Sequence, residues 1–112
     1  MATRFYITLP DPARGGDADL AFKSQGANGL AAELQDALRS DGLFQRWRMK
    51  QEDPDEVDVA LGASDPNATV QGKQQDLHID LVVITSLSSS ILRQRLALLA
   101  GNGWQLRDVS AA

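Results

Sequence analysis

The 112-residue chain contains 43% hydrophobic and 23% charged residues, the size and composition of one packed domain rather than of a disordered chain. Its formal net charge of −4 disfavours sequence-independent binding to nucleic acid, and the absence of cysteine excludes disulfides and thiolate metal sites. The sequence shows neither a signal peptide nor the roughly 20-residue apolar run that spans a bilayer, so we expect a cytoplasmic protein with no membrane partner.

The first part of the chain predicts a strand, a long loop and a helix. Residues 4–9 alternate between apolar and other side chains, the period-two pattern of a half-buried strand. The polar, glycine-containing stretch 11–25 follows as a long loop. A helix over residues 28–40 is predicted by an apolar stripe with helical spacing, formed by Leu30, Leu34, Ala37 and Leu38.

The middle of the chain predicts one further strand and a weaker one. The first is predicted over residues 43–50, where one strand face would carry the basic side chains Arg46, Arg48 and Lys50. Residues 56–61 alternate over a few positions only, so the pattern leaves open an edge strand or an extended loop. Residues 62–76 are rich in turn-forming residues and predict a second long loop.

The C-terminal part predicts a strand, a helix and a strand. Residues 77–85 carry the strongest strand pattern of the chain, with apolar residues at every second position. On the opposite face, His78 and Asp80 are followed by Val82. Residues 88–100 predict a helix with a broad leucine-rich face, and residues 104–109 predict the last strand.

This order of elements predicts a single α+β domain over residues 1–112. Two β-α-β crossovers with their helices on one face give a ferredoxin-like split β-α-β sandwich, with an antiparallel sheet of four to five strands. The two long loops, 11–25 and 62–76, belong to that domain. One sheet face would be covered by the two helices, and the other would be open.

The sequence contains no pattern that identifies a catalytic, cofactor or metal site. The glycine-rich phosphate loops, the G-x-S-x-G serine motif and the calcium-loop spacing are all absent. A single histidine excludes a multi-histidine metal site within one chain. We therefore predict no cofactor, no metal and no catalytic residue.

The open sheet face supplies the candidate binding residues, which combine apolar side chains with charged ones. Side chains two positions apart on a strand point the same way, so a carboxylate at position 80 can orient the imidazole at position 78. The basic row of the strand 43–50 could hold an anion or pair with Glu56 and Asp58 across a turn. The predicted set is Tyr6, Arg46, Arg48, His78, Asp80 and Val82.

These features favour a non-enzymatic binding or protein-interaction module that self-associates, as a homodimer, through the open sheet face. Its partners would be a second copy, another protein or a small anionic ligand, and not nucleic acid. One alternative is a small enzyme that uses His78, since the predicted architecture resembles the dimeric α+β-barrel proteins. Another alternative is an acidic inhibitor or immunity-like protein, which the size and charge permit.

Overall fold

A four-stranded antiparallel sheet and three α-helices make up the computed structural model, which describes residues 2–10, 20, 22–23, 26–75, 78–101 and 103–112. Two short 3₁₀ turns, Pro54–Glu56 and Val59–Gly62, lie between the second helix and the second strand. The elements in chain order are β1 (Thr3–Leu9), α1 (Ala27–Arg39), α2 (Gly42–Arg48), β2 (Thr69–Gln74), β3 (Ile79–Thr85), α3 (Ser89–Ala100) and β4 (Gln105–Ala111).

The sheet has the strand order β2-β3-β1-β4, so that β1 is a central strand and β2 and β4 are the edges. β1 pairs with β3 along its whole length, from Thr3 opposite Thr85 to Leu9 opposite Ile79. On its other side β1 pairs with β4, with a register shift between Tyr6 and Ile7. The predicted α+β class and the predicted antiparallel sheet are thus confirmed, with four strands out of the expected four to five.

The core lies against one face of this sheet and follows from the alternation of its strands. In β1, Phe5, Ile7 and Leu9 are at most 3% exposed, and they form one cluster with the alternate residues of β3. Both long helices contribute to the same cluster through one apolar face each. These helical residues are Leu30, Leu34 and Leu38 from α1 and Leu92, Leu96 and Leu99 from α3. Burial of each such side chain contributes about 1.5–3 kcal/mol.

The helices and strands predicted from the longest patterns are confirmed with small changes at their ends. β1, β3 and β4 correspond to the predicted strands, and α1 and α3 to the predicted helices. Residues 11–19, 21 and 24–25 of the first predicted loop lie outside the described residues. Among the described residues, no helix is both long and apolar enough to cross a membrane.

The strand predicted over residues 43–50 is wrong, because these residues form helix α2. Leu43 and Trp47 share a face at the strand period of two, but their spacing of four also places them together on a helix. Leu43 and Phe44 are both buried, which adjacent strand positions facing opposite sides would not favour. Met49, which a strand would place on the same face as Leu43 and Trp47, is 70% exposed.

Residues 56–61, which the pattern left open as an edge strand or an extended loop, form no strand, and the loop predicted over residues 62–76 is wrong in part. Residues 56–61 contribute to the two 3₁₀ turns, and Asp58 starts the second by accepting a hydrogen bond from the Ala60 N–H at 2.9 Å. The predicted loop 62–76 contains the real second strand, β2. The strand was missed because Val70 is its one buried apolar residue, which is too few for an alternating pattern.

Arg95 of α3 connects this helix to α1 and to the second 3₁₀ turn before β2. Its side chain is fully buried, and its guanidinium donates to the carbonyl oxygens of Ala37, Leu61 and Ala63 at 3.1, 2.6 and 2.9 Å. The guanidinium also lies 5.8 Å from the centre of the Phe44 ring. Burial lowers the pKa of Arg95, since desolvation disfavours the charged form. Three carbonyl acceptors compensate for part of that cost.

Aspartate 65 joins the end of α1, the entry to β2 and the exit from β3. Its backbone N–H donates to the Leu38 carbonyl at 2.8 Å. Its carboxylate accepts from the Thr85 hydroxyl at 2.8 Å and from the Ser86 N–H at 2.9 Å. The Ser86 N–H is the main cause of a lowered Asp65 pKa, and the Thr85 hydroxyl adds to it against the opposing effect of burial.

We predict that Asp65→Asn destabilises the fold by about 1–3 kcal/mol at pH 7. The pKa of Asp65 is lower in the folded state than in the unfolded state, where it is about 3.9. The ionised carboxylate therefore stabilises the fold above about pH 3.9, and this stabilisation is lost as the pH falls through the folded-state pKa. Urea midpoints of the two proteins should therefore converge as the pH falls below about 3.9. Asp55→Asn, at a side chain that is 97% exposed, is the control and should not change the midpoint. A difference in midpoint that stays constant as the pH is lowered through this range would contradict this role.

Gly72 lets the backbone of α1 approach β2. A Cβ atom at this position would lie 2.4 Å from the Ala27 carbonyl oxygen and 3.3 Å from the Ala31 Cβ. The nearer neighbour is backbone at the start of a helix, so it cannot rotate away. The contact sets how closely the helix lies against the edge strand.

We predict that Gly72→Ala lowers the free energy of unfolding by about 2–3 kcal/mol, as overpacking does. Thermal or urea unfolding measures this loss. Gly42→Ala is the matched control, because a Cβ there meets nothing closer than the Ser40 Oγ at 3.9 Å. A stable Gly72→Ala protein with an unchanged midpoint would show that α1 does not rest on β2 as described.

Candidate functional site

An open pocket of about 800 Å³ lies on the sheet face opposite to Phe5, Ile7 and Leu9, which we call the outer face. All four strands contribute residues to the pocket, and Gln75 and His78, which lie just outside β2 and β3, contribute as well. The side chains that the strand alternation directs to this face are Tyr6, Thr8, Gln71, Lys73, Asp80 and Val82. His78, Gln75 and Arg107 also line the pocket, as do Ile7, Gly72 and Leu81 of the strands themselves.

The strand register arranges these side chains in two adjacent rows. In the first row, Lys73 lies opposite Asp80, and Asp80 lies opposite Thr8. In the second row, Gln71 lies opposite Val82, and Val82 lies opposite Tyr6. Neighbouring strands are about 4.8 Å apart, and the two rows are about 6.8 Å apart along the strands. One row is therefore charged, and the other has an apolar centre.

A bulge in β4 adds Arg107 to the charged row. Tyr6 pairs with Asp108 and Ile7 pairs with Leu106, so Arg107 is the extra residue on its strand. Its Nε donates a hydrogen bond to the Thr8 Oγ1 at 3.1 Å. The bulge thus brings a cation from the edge of the sheet to the central strand.

The hydroxyl of Thr8 forms hydrogen bonds with both Arg107 and Asp80. Because the Arg107 Nε can only donate, the Thr8 oxygen accepts from it and donates its own proton to the Asp80 Oδ1 at 2.8 Å. Thr8 is 4% exposed, whereas the side chain of Asp80 is 40% exposed. A buried hydroxyl therefore holds a carboxylate that stays open to the pocket.

His78 lies at the end of the charged row. Its Nε2 is 3.4 Å from the Asp80 Oδ1, and its side chain is 39% exposed. An imidazole with Nε2 directed to a carboxylate leaves Nδ1 as the atom available to a ligand. The pair is chemically able to act as a base with its orienting carboxylate.

The charge balance in the pocket differs in sign from that of the whole chain. Lys73 and Arg107 against Asp80 give the lining a formal charge of +1 with His78 neutral, while the chain carries −4. Within the described part of the chain, the Lys73 ammonium group has no hydrogen bond or ion pair, and the Nη nitrogens of Arg107 have no hydrogen-bond partner. Unpaired cationic donors in a concave site attract anions.

Four of the six binding residues predicted from the sequence meet in this pocket. Tyr6, His78, Asp80 and Val82 line it together, as their positions on two strands suggested. Strand alternation was sufficient to find them, because both strands were correctly predicted. Their contact with a ligand stays a prediction.

Arg46 and Arg48 do not belong to this group, because α2 replaces the strand that would have directed them to the sheet. Arg46 is exposed and lines a separate depression of about 540 Å³ with Asp36 and Leu43. Arg48 donates from Nε to the Pro54 carbonyl at 2.9 Å, and its Nη2 is 3.8 Å from the Asp55 carboxylate. The predicted pairing of this basic row with Glu56 and Asp58 across a strand turn is wrong for the same reason.

Three residues of the charged row were absent from the binding set predicted from the sequence. Lys73 falls in the predicted loop 62–76, and Thr8 lies in the predicted strand 4–9 but was not among the binding residues. Arg107 is the bulged residue of β4, and the same bulge places Val109 opposite Phe5. A bulge depends on pairing between strands and leaves no signal in local alternation.

The described residues include no group of three His, Asp or Glu side chains that could hold a metal ion. What the pocket offers is charge-assisted hydrogen bonding beside an apolar surface, with one imidazole at its end. Comparison of the chain with protein-family models, curated proteins and solved structures found no match.

Proposed function

We propose that this protein is a non-enzymatic binding module whose outer-face pocket takes a small anionic molecule. The observation that carries the proposal is the pair of cations, Lys73 and Arg107, contributed to one pocket by the two opposite edge strands. An anion between them would gain charge-assisted hydrogen bonds in a concave site of ligand size.

The anchoring of Arg107 supports this role. Its Nε is engaged by Thr8, so the guanidinium is restrained before any ligand arrives. The planar fork of Nη nitrogens is then available to a carboxylate or phosphate oxygen pair. Restraint of the side chain in advance reduces the conformational entropy that binding would otherwise remove.

We predict that ¹⁵N-labelled protein titrated with 3-phenylpropionate or with inorganic phosphate shows saturable NMR shifts at Thr8, Lys73 and Asp80. Arg107→Gln and Lys73→Gln should each weaken binding of the better probe by about tenfold, the effect of one charge-assisted hydrogen bond. Arg46→Gln is the matched control, since it makes the same charge change on α2. The proposal fails if no carboxylate or phosphate probe shifts these amides, or if the control weakens binding as much as Arg107→Gln.

Self-association through the outer face is the second candidate function, and a separate observation favours it. Tyr6, Val82 and Ile84 lie side by side on this face, and none of them is buried within the described chain. A second copy seated there would cover these apolar groups, and a stable dimer needs about 800 Å² per chain. The pocket would then become a closed cavity at the interface.

Sedimentation velocity at micromolar concentration tests the self-association. We expect a dimer that Val82→Asp converts to a monomer, because a carboxylate would be buried without a partner. Val109→Asp is the control, since Val109 is 47% exposed but pairs opposite Phe5, away from the outer face. A wild-type protein that stays monomeric removes this candidate and leaves the binding module unaffected.

An enzyme that uses His78 has one supporting feature, the proximity of His78 to Asp80. The Thr8 hydroxyl beside this pair donates to Asp80 and is therefore not activated by His78 as a nucleophile. Binding therefore accounts for more of the pocket than catalysis does. The inhibitor or immunity-like alternative stays a prediction from size and charge.

The proposed fold type for this module is the ferredoxin-like split β-α-β sandwich with its helices on one face. The order β2-β3-β1-β4 supports it, as does the position of α1 and α3 in the two connections between parallel strands. In this arrangement α2 is an addition to the first connection.

A further inference from the structure

We infer that the molecule whose anionic group binds in this pocket also carries a cation: it is a zwitterion, a small α-amino acid with an apolar side chain. The inference rests on the proposed function and adds the class of ligand. Its basis is the position of Asp80 between the two cations of the charged row. A simple anion bound by Lys73 or Arg107 would also face this carboxylate, whereas a ligand carrying an ammonium group would pair with it.

Asp80 is held as an acceptor that still has capacity for a donor. The Thr8 hydroxyl donates to its Oδ1, and His78 Nε2 lies near the same oxygen. Its Oδ2 has no hydrogen-bond partner within the described part of the chain. Because Arg107 fixes the direction of the Thr8 proton, the side chain at position 80 must accept there and not donate. The free oxygen can receive an ammonium N–H.

The second row explains why the ligand should also have an apolar part. Tyr6 and Val82 pair directly and line the pocket beside the charged row. The spacing of about 6.8 Å between the rows is within reach of a leucine or phenylalanine side chain whose backbone groups lie at Asp80. The pocket volume of about 800 Å³ holds such a molecule and lies within the usual range of ligand sites.

The same arrangement disfavours the two simpler ligand classes. A multiply charged anion such as phosphate would meet Asp80 at close range without a group to pair with it. An amine without a carboxylate would leave Lys73 and Arg107 uncompensated. A zwitterion is the smallest ligand that offers a carboxylate to the cations of the charged row and an ammonium group to Asp80.

The test is an NMR titration of the full chain with L-phenylalanine, 3-phenylpropionate and phenethylamine, which differ only in their charged groups. We expect L-phenylalanine to bind at least about tenfold more tightly than either analogue, because each analogue leaves a charged group of the pocket unpaired. Asp80→Asn should remove that preference by weakening phenylalanine about tenfold while 3-phenylpropionate binds as well or better. Asp108→Asn, the same charge change at an outer-face residue that is not part of the pocket lining, should retain the preference.

The outcomes separate the inference from the proposed function. Equal binding of L-phenylalanine and 3-phenylpropionate overturns the zwitterion and leaves the anion-binding module in place. No binding by any of the carboxylates, or tightest binding by phenethylamine, overturns both. If Asp80→Asn does not fold, the comparison of the three compounds on the wild-type protein decides the question alone.

Discussion

The alternation of β1 between its two neighbours is the constraint on which the rest of this structure depends. Phe5, Ile7 and Leu9 must face the core, since each is almost completely buried there. Tyr6 and Thr8 are therefore directed to the outer face, where β3 and β4 meet them in register. A slip of one residue would bury a hydroxyl in the core and expose three apolar side chains, so the core and the pocket are set by the same pairing.

Three polar or close contacts hold the remaining elements around that strand. Arg95 connects α3 to the end of α1 and to the turns before β2, and Asp65 connects the same region to the end of β3. Gly72 then allows α1 to lie directly on β2. Their shared effect is to fix the edge strand β2, which carries Lys73 into the pocket. Contacts that stabilise the fold thereby also position one of the proposed ligand-binding groups.

The pocket contains both cations and a carboxylate, but Arg107 and Asp80 are each hydrogen-bonded to Thr8 and not to one another. Arg107 reaches the central strand through a bulge and binds a neutral hydroxyl rather than the carboxylate, and Thr8 relays the interaction to Asp80. Lys73 and the guanidinium fork thus stay available on either side of an acceptor. In a chain with a net charge of −4, this local arrangement is what favours recognition of a molecule carrying both signs.

The periodic patterns of the sequence determined β1, β3, β4, α1 and α3 and the shared face of Tyr6, His78, Asp80 and Val82, because apolar residues recur in each element at the period of its secondary structure. Only the tertiary structure decided the rest. The apolar pattern of residues 43–48 is compatible with a strand and with a helix, and the burial of both Leu43 and Phe44 in the structure identifies the helix. Strand β2 has too few apolar residues to be predicted from the sequence, and its pairing with β3 is what identifies it. Arg107 depends on a register shift against β1, about a hundred positions away, and hydrogen bonds between distant strands have no counterpart in local sequence.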